Sequence, residues 1–365
     1  MDKIKQLSIP NDSRVIVISD IHGELALFKA LLEKVLFGTE DYLIINGDLC
    51  EKGSNSKGVV SYVMELAATN PKVYVIEGNC ETLVEELLNE NPQLLGYLRA
   101  RKDSIFHEWL QQIGVEITEE TTVQNIKECL TKHFCKEIEW LTALPTAIET
   151  DEYIFVHAGL ADIEDWKQTD RDSAVSLPAF LEKSHRSDKY VVVGHWPVGN
   201  YSTNVLEHNP IIHHEKKIIA IDGGNNVKES GQLNALIMQR TNNETSYSFT
   251  YVDHYPTYKV GGDFKADPKM SGSISYPFYE IVPVEKGNLF TSCKQPGTNQ
   301  QRYVKNEYIH RNENGQFFAK TDISCAQISV KKGDVVSLLD DNCSGYSLIK
   351  KDGAVGWIAK NLIRS

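Results

Sequence analysis

The sequence predicts an α/β domain of two packed sheets with helices on their outer faces, followed by a smaller all-β region. Three observations lead there. Before residue 82, a unit of β-forming run, glycine-flanked polar residue and amphipathic helix or helical segment occurs three times in succession. That alternation builds a parallel sheet with ligands at the strand C-termini. After residue 144, β-runs return without long helices between them, and after residue 275 only short β-runs and turn residues remain.

The first run, Val15 to Ile18, is the pattern of a strand buried on both faces, and it stops at Ser19-Asp20-Ile21-His22-Gly23. From Glu24 to Phe37, Leu25, Phe28, Leu31, Leu32, Val35 and Leu36 recur at helical spacing. Tyr42 to Asn46 is a second strand ending at Gly47-Asp48, and Ser56 to Ala68 a second helix. Val73 to Ile76 ends at Gly78-Asn79-Cys80-Glu81. Residues 82–144 are rich in Glu, Leu, Lys and aromatics at helical spacing and read as a helical insertion, stopped by Pro145. Such an insertion would wall a cleft and contribute to substrate choice. Further strands are expected at Tyr153 to Val156, Tyr190 to Val193, Ile218 to Ile221, Leu233 to Gln239 and Tyr247 to Val252. The Gly-, Pro-, Lys- and Asp-rich stretch 255–275 reads as a linker between a domain at 1–254 and a β-rich region at 276–365. Within that region Val284-Glu285-Lys286-Gly287 resembles Val330-Lys331-Lys332-Gly333, which suggests two small repeats at about 280–312 and 326–365.

A chain of 365 residues has room for both regions. Its net charge of −12 disfavours nucleic acid and anionic membranes as partners. Phosphate is not excluded, because bound metal ions outweigh distant surface charge. No apolar stretch has the form of a signal peptide or a membrane span. The seven cysteines form no CxxC pair and read as reduced thiols of a cytoplasmic protein.

Five stretches carry the chemistry: Asp20-Ile21-His22-Gly23, Gly47-Asp48, Gly78-Asn79-Cys80-Glu81, His157-Ala158-Gly159 and Gly194-His195-Trp196-Pro197. Each follows a β-run and sets Asp, Asn or His beside a glycine, where backbone turns tightly or approaches a ligand. A strand end cannot hold such groups cheaply unless a cation neutralises them. Asp20, His22, Asp48, Asn79, His157 and His195 together suit Mn, Fe or Zn. They suffice for two divalent ions sharing a carboxylate, a pair that activates water and grips phosphate oxygens. His213 and His214 read as an exposed hairpin, and Trp357 as core or groove wall.

The ordered motifs resemble the calcineurin-like metallophosphoesterase superfamily, and within it the bacterial PPP-type serine/threonine protein phosphatases. The likeness runs from about Arg14 to Gln239 and includes Ile221-Asp222-Gly223-Gly224. It implies a four-layer αββα sandwich. Asp20 and His22 would hold one metal, Asp48 would bridge, and Asn79, His157 and His195 would complete the second, with manganese the expected ion and iron or zinc alternatives. The implied reaction is in-line attack on a phosphoserine or phosphothreonine ester by a hydroxide generated between the ions, with no phosphoenzyme. The region from Ile328 to Ile363 resembles bacterial SH3-type domains, whose folds bind a protein partner or a segment of their own chain.

Two departures stand out. Cys80 occupies the position where the phosphatases carry a proton-donating His, and some phosphodiesterases of the superfamily share this Cys. Glu51-Lys52 stands in place of Asp-Arg: Glu51 would orient the proton donor, while Lys52 keeps the charge but loses the bidentate fork. Asn79 and Lys52 would steady the phosphoryl oxygens. Arg171 or Arg186, by position between the last two motifs, would add a phosphate contact. Alternative readings are a phosphohydrolase or phosphodiesterase acting on nucleotides, such as dinucleoside polyphosphates, and a scaffold protein with a vestigial site.

Overall fold

The computed structural model describes residues 1, 3–242 and 244–363. It divides into two compact units. The first comprises Met1–Trp196, Pro210–Val227 and Leu233–Val252.

Two sheets form the first unit. In one, Arg14–Ile18, Tyr42–Asn46 and Val73–Ile76 run parallel, and the antiparallel Leu233–Thr241 and Glu244–Val252 extend it beyond Arg14–Ile18. In the other, Tyr153–Val156, Tyr190–Val193 and Ile218–Ala220 run parallel to one another. Because side chains alternate along a strand, Val15, Val17 and Ile44 pack with Phe155, Val192 and Ile219 in a core shared by the two sheets. Ile16, Ile18, Leu43 and Ile45 face the opposite way, into a second core with Phe28, Leu31, Val60 and Trp109 from the helices. The continuous Val/Ile runs are therefore apolar because both faces are covered.

The 82–144 insertion contains five helices, Leu83–Leu88, Gln93–Ala100, Ile105–Gln112, Val123–His133 and Cys135–Thr142. Their buried residues, among them Leu87, Leu98, Phe106, Trp109 and Leu130, join the same core as the first two helices. Between Tyr153–Val156 and Tyr190–Val193 only short helices occur, with Arg171–Ser176 the longest. Three strands were not evident from sequence: Ile4–Gln6, Ala147–Glu149 and Ile211–His213. Each is three residues long, and pairing with a neighbour, not local pattern, defines it.

The second unit comprises Pro197–Asn209, Lys228–Gln232 and Asp253–Ser365, and within its described residues the regular elements are strands and single helical turns. The 255–275 stretch, read from sequence as a linker, contributes Thr257–Lys259, paired with Val335–Ser337, and Ser273–Ile274, paired with Ile323–Ser324. Two meanders stand out, Glu280–Lys286/Phe290–Gln295/Gln300–Lys305 and Val335–Asp340/Tyr346–Lys351/Ala354–Ala359. Each ends in one 3₁₀ turn, Asn306–Tyr308 or Lys360–Leu362. Trp357 lies in the core, its indole N–H donating to Ser324 O at 2.8 Å.

Candidate metal centre

All six sequence-derived ligands sit in the first unit, just beyond the C-terminal ends of parallel strands. Asp48 is central. His22 Nε2 lies 3.7 Å from its Oδ2, and His157 Nε2 lies 3.4 Å from its Oδ1, so each carboxylate oxygen faces one imidazole. His22 Nε2 is also 3.8 Å from Asp20 Oδ1. Asn79 Oδ1 joins the other side, 3.3 Å from His157 Nε2 and 2.8 Å from His195 Nδ1. Two buried clusters within ligand distance result, Asp20–Asp48–His157 and His22–Asp48–Cys80.

The imidazoles are oriented from behind. His157 Nδ1 donates to Asn46 O at 2.8 Å, and His22 Nδ1 faces Cys50 O at 3.3 Å, which directs both Nε2 atoms inward. Such backbone acceptors typically fix the tautomer of metal-binding histidines. Glu81 braces the loops: its carboxylate accepts from the N–H groups of Asp48 (2.9 Å), Leu49 (2.8 Å) and Gly78 (2.7 Å). Asp20, His22, Asp48 and His195 all adopt positive φ, between 48° and 64°. Non-glycine residues held there cost of order 1–3 kcal/mol each and concentrate at functional sites. Gly47 has φ +84°, and a Cβ on it would come within 2.7 Å of His157 Nδ1, so only glycine lets that imidazole approach.

Buried carboxylates dominate the electrostatics. Burial drives the Asp20 carboxyl well above the usual range, reinforced by Asp222 and Asp48. Burial pushes Asp48 the same way, but the His157 charge and hydrogen bond hold it well below that range. Burial lowers His157, but Asp48 and Asp20 outweigh it and raise the imidazole to about 10. His22 and His195 fall to about 3 and about 4, mainly through burial. The imidazoles of His22 and His195 are thus neutral, as metal ligation requires. Without a cation the carboxylates compete for protons and for one imidazolium. Divalent ions held by these oxygen and nitrogen donors would relieve that competition, so the residues present fit a di-metal centre.

Lys52 Nζ lies 3.2 Å from His22 Nε2. Burial works to lower its pKa, but Cys80, Asp48, Asp20 and Asp222 more than offset this. The Cys80 thiol is buried and pushed well up by burial and by Asp48, while its N–H donates to Asp48 Oδ1 at 2.9 Å. The other expected site residues lie elsewhere. Glu51 is held by the insertion, accepting from Tyr97 Oη (2.7 Å), Ser104 Oγ (2.9 Å) and Ile105 N (2.9 Å). Arg171 is clamped by Glu77 and Glu85, and Arg186 pairs on the surface with Asp162 and Glu164. Both guanidiniums are satisfied by carboxylates, whereas Lys52 stands beside the cluster. His213 pairs in the edge hairpin with Ile218, and His214 Nδ1 meets Tyr190 Oη at 3.0 Å.

Sequence reasoning passed over Asp222 as a site residue. Ile218–Ala220 is followed, as the other parallel strands are, by a polar residue near glycine, here Asp222-Gly223-Gly224. That pattern was the available signal.

A two-sheet α/β unit whose strand ends gather carboxylate, amide and imidazole donors around one shared aspartate is the frame of a metal-dependent hydrolase. The calcineurin-like phosphoesterase family model matches residues 13–228. The chain belongs to that family, which makes it a phosphohydrolase of the kind that binds two divalent metals. Its solved structural neighbours include a candidate diadenosine tetraphosphatase at 19% identity, with 69% of this chain and 99% of that one covered and a TM-score of 0.44. A serine/threonine phosphatase from Saccharomyces cerevisiae, with similarity to human PP5, has 14% identity, 69% and 85% coverage and a TM-score of 0.44. A cold-active protein-tyrosine phosphatase of a psychrophilic Shewanella has 16% identity, 69% and 83% coverage and a TM-score of 0.41. No curated protein matches the chain. Among the described residues, no helix is long and apolar enough to cross a membrane.

Proposed function

We propose that the chain hydrolyses phosphomonoesters and that its substrates are phosphoserine and phosphothreonine in proteins. One observation carries the phosphoesterase reading: the two oxygens of Asp48 each face a different imidazole, the arrangement of a carboxylate shared between two ions. Asp20, His22, Asp48, Asn79, His157 and His195 would hold a pair of divalent cations, manganese by preference, whose chemistry would be to acidify water and to offset phosphate charge. The chain supplies the rest. Asn79 and Lys52 border the cluster where phosphoryl oxygens would lie, and Lys52 brings a positive charge to them. Cys80, held protonated by burial, stands where a proton for the leaving alkoxide is needed.

A second reading, a phosphodiester or dinucleoside polyphosphate hydrolase, is favoured by Lys52 being the cation beside the cluster while both arginines are tied up elsewhere. A point charge suits a monoanionic diester better than a dianionic monoester, which guanidinium forks grip bidentately. Assays with phosphopeptide, bis-aryl phosphate and dinucleoside polyphosphate in Mn²⁺ separate the two. Turnover of phosphopeptide at least tenfold above the others supports the first reading, and the reverse order supports the second. Cys80→His is expected to raise activity on alkyl phosphates more than on aryl phosphates, whose leaving groups depart unaided. Equal effects on both would remove the acid role from Cys80.

The second unit we take to be SH3-like and to engage a protein partner or a segment of this chain, in a cytoplasmic protein. Its paired meanders with terminal 3₁₀ turns support this. Pull-down with the full chain tests it: capture of nothing beyond what an unrelated control protein captures removes a protein partner from consideration.

A further inference from the structure

We infer that Asp222 is a further carboxylate of the cation-binding centre, acting on the ion beside Asp20 and His22 from just outside the directly ligating groups. The inference rests on the metal-dependent reading above. Asp222 follows Ile218–Ala220, which pairs in parallel with Tyr190–Val193, the strand that leads to His195. Its side chain is 1% exposed. Oδ1 accepts from Gly224 N at 2.7 Å, but Oδ2 is buried and, among the described residues, has no hydrogen-bond partner. A buried carboxylate oxygen left bare is strongly unfavourable unless a ligand, water or ion completes it.

The charges around Asp222 are those of the centre itself. Burial drives its carboxyl up to about 6, helped by Asp48 and opposed by the Gly224 N–H, Lys52 and His157. In turn, Asp222 is the strongest charge acting against ionisation of Asp20. Its loop is fastened to the ligand loop: Asn225 Nδ2 donates to Ile21 O at 2.9 Å, and Asn226 Nδ2 to His22 O at 3.1 Å. Asn234 Nδ2 holds Ile221 O at 3.0 Å from the other side. The carboxylate therefore keeps a set position relative to Asp20 and His22. It belongs to neither close ligand cluster, and its bare Oδ2 is the atom that a water or a ligand of the ion would complete. Groups in that role typically change metal affinity by about 10- to 100-fold.

A purely structural role predicts something different. Holding Gly224 N requires Oδ1 alone, and asparagine offers the same oxygen. Asp222→Asn thus keeps the turn and the volume and removes the charge. The test is calorimetric Mn²⁺ titration, with thermal melts of the metal-free and Mn²⁺-saturated full chain. For D222N we expect metal-free melting at or above the wild-type temperature, because a bare buried charge is gone. Mn²⁺ affinity should be about 10- to 100-fold weaker, with a smaller Mn²⁺-induced rise in Tm. Equal affinity and an equal rise in the two proteins overturn the inference and leave the metal centre standing. If wild-type protein takes up no Mn²⁺, the metal-dependent reading fails and this inference with it. Should D222N not fold, Asp222→Ser, which can still accept from Gly224 N, carries the same expectation and the same refutation.

Discussion

Glu51 gives the sharpest test of how the insertion is joined to the catalytic loop. Its side chain, 1% exposed, leaves the loop that carries Asp48 and Lys52 and receives hydrogen bonds from Tyr97, Ser104 and Ile105 of the insertion. Burial lifts its carboxyl from 4.5 to about 7, and those three donors only partly oppose the rise. The sign follows from proton counting. Between pH 4.5 and 7 the folded protein keeps a proton that the unfolded chain has released, so stability falls as pH rises through that window. Above pH 7 the full penalty, about 3 kcal/mol, is present. Glu51→Gln has no proton to lose, and its Oε1 still accepts from Ser104 and Ile105. In chelator-treated protein unfolded by urea and followed by far-UV circular dichroism, the variant should match wild type near pH 4.5. It should exceed wild type by about 3 kcal/mol at pH 8. A difference that stays constant from pH 4.5 to 8, or a variant less stable than wild type at pH 8, would refute the reasoning.

Other perturbations separate structural from chemical roles. Asp48→Asn removes the charge between His22 and His157, and the expected result is loss of Mn²⁺-induced stabilisation with kcat/KM reduced at least about 100-fold; unchanged Mn²⁺ affinity would argue against a shared ligand. Arg171→Met strands the buried Glu77 carboxylate, so stability should fall by about 3 kcal/mol with KM for an aryl phosphate unchanged. A raised KM at unaltered Tm would instead show that Arg171 contacts phosphate. Gly47→Ala forces a Cβ against His157 and Gly78 at positive φ and should destabilise by about 2 kcal/mol or more. A wild-type Tm would show that the loop relaxes without loss.

Much of the centre was legible because ligands at strand ends are a local pattern. A β-run, a donor and a glycine lie within a few residues, and the run itself predicts that the donor emerges at the sheet edge. Asp222 fits that pattern too, following a β-run beside two glycines, but an acid in such a place reads equally well as turn chemistry. The role given to Glu51 rested on its motif and those of Arg171 and Arg186 on position between two motifs, and neither says which way a side chain points. Glu51 has a left-handed φ of 69° and points into the insertion, and the arginines found carboxylates from distant segments.

The second unit shows the same division. Its turns and β-runs are local and could be read, whereas the inclusion of Pro197–Asn209 and Lys228–Gln232 could not. Leu206–Glu207 is a strand only because Ala354–Val355 lies beside it. The sequence by itself determined the strand–helix alternation before residue 82, the helical run through 82–144 and which stretches carry metal-type donors, since burial periodicity and donor chemistry are properties of short stretches. Tertiary structure alone decided which charges face one another, because an ion pair or a shared carboxylate depends on distances between residues that the chain order leaves far apart.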